Sequence, residues 1–399
     1  MSVSVRRFIA VVTGWQVVAS SCYYAVFAAA PFVRETFGLS RFLVGVVVTT
    51  MTLGYTLCLF PSGAAVDAYG ERPILISGLA ALGAGVVAVA VAPSLAVLFV
   101  AAFALGSAYA SAMPASNRAI IVGVPDDYRG IALGLKQVGV TVGSGLSAVV
   151  VVTVAPAIAT WTFGLGALGA GALVVAGLFA VGYPDHPGSG RLAMPDLAGL
   201  RSNAPYVALV LAGFFLGAAL FTTVGYLTLY LTESVGVTAG LAGIGFLLLQ
   251  VAASVGRVVI GDLADRLERW SDWGRARSAA TLLTGQAGIG ALLLVALTGP
   301  VSTPLAFVLV AGVGFTVLGF TGLYYTCMSA LVDDSEMGAA TAGGQTTLNA
   351  GALVAPPAFG WIADSLTYQT SWALLAGSAV VGTLLFSLVI WRTRAGPEA

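Results

Sequence analysis

Apolar runs long enough to cross a lipid bilayer recur along this 399-residue chain, and they leave few folds open to it. Spanning the hydrocarbon core as a helix takes about 20 apolar residues. Charge, proline and glycine divide the sequence into twelve such runs, at approximately 8 to 30, 42 to 64, 73 to 92, 95 to 118, 130 to 153, 160 to 182, 204 to 231, 239 to 262, 278 to 298, 304 to 331, 338 to 362 and 369 to 391. Hydrophobic residues make up 58% of the chain and charged residues 9%, too little polar surface to face water, so lipid is the solvent for most of it. Barrel strands would alternate polar and apolar residues over about ten positions, and that alternation is missing. The expected fold is an all-α membrane protein with twelve transmembrane helices.

Basic residues set the orientation, because cytoplasmic loops retain Lys and Arg. With the N-terminus inside, inner loops and span ends carry Arg6, Arg7, Arg72, Arg118, Arg129, Lys136, Arg191, Arg201, Arg257, Arg266, Arg269, Arg275, Arg277, Arg392 and Arg394, and Arg34 and Arg41 alone fall outside. The bias places both termini in the cytoplasm and the chain in the cell membrane. It also supports an even number of spans, since one missed helix would invert every later loop. Arg6 and Arg7 precede an apolar run ending in Ala28, Ala29 and Ala30, as in a secretory signal. A run of about 23 apolar residues exceeds the roughly 7 to 15 of a signal core, so it is read as a retained helix.

The chain also repeats itself. Glu35, Gly38, Ser40, Gly45, Gly63 and Asp67 return 198 residues later as Glu233, Gly236, Thr238, Gly243, Gly261 and Asp265. Asp126, Asp127, Gln137, Gly143 and Trp161 find later counterparts in Asp333, Asp334, Gln345, Gly351 and Trp372, at offsets of 207 to 211. Between the copies, 184–203 is rich in proline, glycine and mixed charge and reads as a flexible cytoplasmic tether. The expected organisation is a six-helix bundle over 1–183, the linker, and a second six-helix bundle over 204–399, with the halves moving as rigid bodies. Parallel repeats about an axis along the membrane normal are one plan on which transporters are built.

Other classes are disfavoured. Net charge is zero and the lone His186 sits in a loop, so neither a nucleic-acid surface nor a metal site is indicated, and no cofactor is expected. Cys22, Cys58 and Cys327 all fall within apolar runs, an odd set that argues against a disulfide framework. No nucleophile–base or paired-carboxylate constellation lies within the spans, which argues against an enzyme.

One loop carries a family signature. Gly63-Ala64-Ala65-Val66-Asp67-Ala68-Tyr69-Gly70-Glu71-Arg72 resembles the cytoplasmic motif between helices two and three of the major facilitator superfamily, and Gly256-Arg257-x3-Gly261-x3-Asp265-Arg266 has the same spacing in the second half. The resemblance spans the whole sequence and implies two pseudo-symmetric six-helix bundles whose inner contacts open and close. Gly63, Asp67, Gly70, Arg72, Arg257, Gly261, Asp265 and Arg266 are the gating residues it implies. Physically, Gly63 and Gly261 would permit close backbone approach where helices cross. Asp67 and Asp265 would cap a helix or pair with an arginine, Gly70 would turn the chain, and Arg72 would stay among headgroups. The family's basic positions are here Ala68 and Glu71, and Ala102 stands where helix four commonly has arginine, so the first-half charge network is thinner than usual.

Ionisable groups in hydrocarbon are costly and usually face a cavity, which directs attention to Lys136. It lies seven residues beyond Arg129, about 10 Å along a helix, and two readings compete: a substrate contact or a lysine snorkelling to the headgroups. The run Arg129–Gly139 resembles helix five of the cyanate and nitroimidazole permease branch and, less closely, of organic-anion permeases. Arg118, beside Asn117, is as suited to pairing near Asp67 as to touching substrate. Gln137 neighbours Lys136. The second half does not repeat the cations, for Tyr325 and Gly344 stand at the matching places. Tyr324, Tyr325, Gln345 and Asn349 offer hydrogen bonds there, with Tyr23, Tyr24 and Tyr226 as aromatic walls.

A cavity cationic on one side and neutral-polar on the other suits a small monoanion or zwitterion. No carboxylate lies midway along a span, so proton symport through a membrane carboxylate is disfavoured and the coupling ion is left open. Gly139, Gly143 and Gly145 are read as a close-packing face between halves. The expected function is secondary active transport of a small organic anion or zwitterion by alternating access, in a monomer. Two alternatives stand beside it: an efflux pump for hydrophobic or drug-like compounds, and a non-transporting membrane receptor on the same scaffold.

Overall fold

The structure, a computed structural model, describes residues 3–188, 190, 199–333 and 336–394. Arg191, Asp334 and linker positions 189 and 191–198 lie outside the described residues. Every regular element among those described is helical. Eleven helices are long and apolar enough to cross a membrane: α1 (Val3–Ala28), α2 (Arg41–Tyr69), α3 (Glu71–Ala90), α4 (Leu95–Gly123), α5 (Asp126–Ile158), α6 (Trp161–Gly182), α7 (Ala204–Glu233), α8 (Ala239–Trp270), α9 (Arg275–Ala296), α10 (Thr303–Ser329) and, last in the chain, Tyr368–Thr393. Between the last two runs α11 (Met337–Ser365), and the final helix, α12, extends to Arg394. α11 has length enough at 29 residues, but its first half is rich in Gly, Thr, Gln and Asn and its second contains Pro356 and Pro357, which dilute its hydropathy.

Local chemistry sets the helix ends. Ser94, Thr160 and Asn203 accept hydrogen bonds from the backbone N–H three residues on and so start α4, α6 and α7. The joint between α2 and α3 is the single residue Gly70, whose φ of 85° is one that a side chain strains to adopt.

The chain divides into two compact units. The first comprises Met1–Leu39, Val47–Met194 and Thr238–Leu247, and the second Ser40–Val46, Pro195–Val237 and Leu248–Ala399. In the first, α1 packs on α5 and α3 on α6; in the second, α7 packs on α11 and α9 on α12. The internal echo of the sequence is thus realised as the same helix pairing in each unit.

Small residues do bring backbones together, but at other positions than expected. A Cβ at Gly63 or Gly261 would meet nothing within 4 Å. Close approaches fall instead at glycines such as Gly54 and Gly106, where α2 meets α4, and Gly256 and Gly314, where α8 meets α10: a Cβ at each would overlap a carbonyl oxygen of the opposing helix. Of the α5 glycines, Gly145 meets the Leu247 side chain of α8, but Gly139 and Gly143 pack against the Thr13 and Val17 carbonyls of α1 inside the first unit. The reason is geometric, since α1 and α5 run side by side in the same direction and their four-residue spacings coincide.

Candidate functional site

α5 starts at Asp126, whose carboxylate and that of Asp127 favour its N-terminal turn. Ten residues on, its first unpaired charge enters the core. Lys136 is 1% exposed, so it does not snorkel. Its Nζ donates to Asn117 Oδ1 at 2.7 Å and lies 3.5 Å from the Met113 sulfur, both on α4. No carboxylate of a described residue pairs with it. An ammonium held without a counter-charge costs on the order of several kcal/mol, and that cost falls once an anion arrives.

The residue before Asn117 continues the polar contacts. Ser116 donates to Gln16 Oε1 at 3.0 Å, Gln16 Nε2 donates to Ser20 Oγ at 3.1 Å, and Ser20 shares a 3.0 Å hydrogen bond with Tyr109 OH. Gln16, Ser20 and Ser116 are fully buried. Tyr109 stacks on Tyr23 with ring centroids 4.1 Å apart, and Tyr24 and Tyr55 adjoin the same ring. The first unit therefore carries a hydrogen-bonded strip running along α1 and α4. Gln137, partly exposed, points elsewhere than its neighbour Lys136.

Arg118 is drawn away from this strip. Its Nε lies 3.3 Å from Glu71 Oε2, an ion pair by distance that lacks hydrogen-bond alignment, and its terminal nitrogen donates to the Pro187 carbonyl at 3.1 Å. Glu71 is completely buried and gathers two more partners, His186 Nδ1 at 2.5 Å and the Tyr183 hydroxyl at 3.3 Å. Burial, and then the Glu71 carboxylate beside it, push the Tyr183 phenol above its ordinary range and keep it a donor. Gly190 N–H donates to the Ala68 carbonyl at 3.0 Å, so the described start of the linker is fastened to the α2–α3 joint rather than hanging free. Glu71, which breaks the family's basic pattern, supplies the charge that organises this cluster. Arg72 donates to the Ala180 carbonyl at 2.9 Å.

In the second unit, Tyr325 donates to Gln345 Oε1 and Gln345 Nε2 donates to Asn349 Oδ1 at 2.9 Å. Asn349 is fully buried and its amide nitrogen has no acceptor. These three come together as a row on α10 and α11. Tyr324 and Tyr226 are spent on packing: Tyr324 donates to the Gly344 carbonyl at 3.3 Å, and Tyr226, fully buried on α7, reaches the carbonyls of Arg41 and Pro356. Of the gating set, Arg257 donates to Thr321 Oγ1 at 3.1 Å and Arg266 pairs with Asp262 at 2.8 Å. The Arg41 guanidinium bonds Glu233 at 2.9 Å and lies over Tyr368, while Asp364 accepts the N–H groups of Arg41 and Phe42 at the start of α2.

The sequence reading missed Gln16, Ser20, Tyr109, Ser116 and Glu71. A glutamine and serines inside the apolar run of α1, and an acid where a base was expected, were the available signals.

Comparison with known proteins agrees with this arrangement. A sequence model described as Major Facilitator Superfamily matches residues 14–347. The chain is 25% identical over 387 residues to a protein of Cupriavidus necator named a probable sulfoacetate transporter, SauU, covering 90% of this chain and 89% of that one. It is 24% identical over 331 residues to an uncharacterized MFS-type transporter, Rv2994, of Mycobacterium tuberculosis, covering 83% and 73%. Among solved structures, a bacterial homolog of the human lysosomal transporter Spinster superposes with a TM-score of 0.79 at 15% identity, covering 99% of this chain and 97% of that one. The nucleoside transporter NupG superposes with a TM-score of 0.77 at 14% identity, covering 96% and 99%.

Proposed function

Because the chain belongs to the major facilitator superfamily, a family of transporters and not of enzymes, we propose that it moves a small organic anion across the cytoplasmic membrane by alternating access. The observation that carries the substrate class is Lys136, buried to 1% exposure with only a neutral amide and a thioether as partners among the described residues. A site with a standing positive charge is completed by an anion. The relative named for sulfoacetate transport, similar over 90% of this chain, supports the same class. Arg118 is committed to Glu71, so Lys136 is the one cation proposed for the site among the described residues, enough to pair with one charged end of the substrate. Within the second unit, Tyr325, Gln345 and Asn349 are proposed as substrate-binding residues, with Asn349 holding an unused donor.

Substrate loading shifts the balance between outward-open and inward-open states. The motif residues Gly63, Asp67, Gly70, Arg72, Arg257, Gly261, Asp265 and Arg266 are assigned to the inner gate. Proteoliposomes exchanging labelled acetate, glycolate or sulfoacetate provide the test. Lys136→Ala is expected to lower exchange at least about tenfold, the worth of one hydrogen bond to a charged group. Unchanged affinity in a folded Lys136→Ala protein would remove the anion assignment.

A further inference from the structure

Donors outnumber acceptors around Lys136, and the surplus extends beyond the lysine. Its ammonium has three N–H groups, set against one amide oxygen at 2.7 Å and one sulfur at 3.5 Å. Gln16 Nε2 carries two N–H groups and spends one on Ser20, while its oxygen is already taken by Ser116. Both serine hydroxyls can donate or accept, so whichever way the amide faces it spends one N–H on a serine and keeps the other. The Thr13 hydroxyl is buried and has no partner at all.

These groups share one helix crossing. A Cβ at Gly139 would come within 2.9 Å of the Thr13 carbonyl oxygen and 3.2 Å of Gln16 Cβ, so α1 and α5 nearly touch there. Lys136 lies three residues before Gly139 on α5, and Thr13 lies three before Gln16 on α1, which keeps each pair on one face. Asn117 and Ser116, adjacent on α4, reach Lys136 and Gln16 respectively, closing the third side.

We infer that Thr13 and Gln16 complete, with Lys136, an oxyanion-binding site in the first unit, built to hold a carboxylate or sulfonate group. A carboxylate or sulfonate is acceptor-only, with several lone pairs converging on one small group. Such an oxyanion satisfies an ammonium, an amide N–H and a hydroxyl together, and of the oxyanions a carboxylate or sulfonate carries the single charge that one lysine balances; a halide has the charge without separated acceptor atoms. The inference rests on the anion reading of Lys136 and adds the headgroup chemistry. Ser20 and Tyr109 extend the strip one helical turn further, about 6 Å, where a second hydrogen-bonding group of the substrate would lie.

The test combines exchange flux with ligand-induced stabilisation in detergent, using acetate, methanesulfonate, chloride and thiocyanate at equal ionic strength. Acetate and methanesulfonate are expected to raise the melting temperature above the chloride and thiocyanate values, and Lys136→Gln to abolish the difference. Thr13→Val and Gln16→Leu are expected to raise the KM for acetate exchange about three- to tenfold with kcat within about twofold, and Thr13→Ser to restore it. Thr13→Val decides the matter if Gln16→Leu fails to fold, because the Thr13 hydroxyl has no partner to lose. Exchange that depends on Lys136 but is indifferent to Thr13 and to oxyanion against halide overturns this inference and leaves the anion reading standing. Absence of any anion exchange or stabilisation in the unaltered protein overturns both.

Discussion

Two cations that lie near one another in sequence meet different fates, and burial explains why. Arg118 and Lys136 both belong to the first unit, but Glu71 stands at the start of α3 with no exposure and needs positive partners. Arg118 and His186, a quarter to a third exposed, supply them. Lys136 is left with neutral company. Removing one partner from a buried pair costs more than the pair contributes, because the survivor stays desolvated. Glu71→Ala is expected to destabilise the protein by about 1–3 kcal/mol, below the buried-pair range since its partners reach solvent. Thermal unfolding in detergent measures this, and an unchanged transition would show that the cluster is incidental. Lys136→Met should behave in the opposite way, stabilising the resting protein while abolishing exchange.

At the scale of helices, the family motif and the packing contacts coincide at Gly256 and otherwise separate. Gly63 and Gly261 belong to the signature but face open space, whereas Gly106 and Gly314, outside it, let α4 and α10 touch backbone atoms of α2 and α8. Alanine at Gly63 or Gly261 is therefore expected to leave folded yield unchanged, with a small gain in helix propensity. Alanine at Gly106 or Gly314 is expected to cost about 1–3 kcal/mol through overpacking and to lower the yield. Equal yields in size-exclusion profiles of the four variants would contradict that ranking. The existence of these helices was legible from apolar length alone; which glycines carry their crossings was not, because periodicity marks a face without saying what lies opposite it.

Over the whole molecule, duplication built the scaffold and divergence placed the charge. α1 on α5 and α7 on α11 are the same pairing made twice, yet Lys136 of α5 has Gly344 as its counterpart on α11. The proposed orientation has both termini in the cytoplasm. In a background with Cys22, Cys58 and Cys327 replaced, Ser234→Cys between α7 and α8 is expected to react with a membrane-impermeant maleimide from outside intact cells. Asp272→Cys between α8 and α9 should react only after lysis, and the reverse pattern would refute the orientation. Apolar length, the placement of arginines and the internal repeat were enough to determine a twelve-helix, twice-built transporter scaffold, because the bilayer admits few solutions for a chain of this composition. Only the tertiary structure decided that Arg118 serves Glu71, that the linker's start is fastened by His186, and that Gln16 and Thr13 stand with Lys136. Those pairings join residues up to about 120 positions apart, and the direction of a side chain within a bundle is set by neighbours that no local pattern encodes.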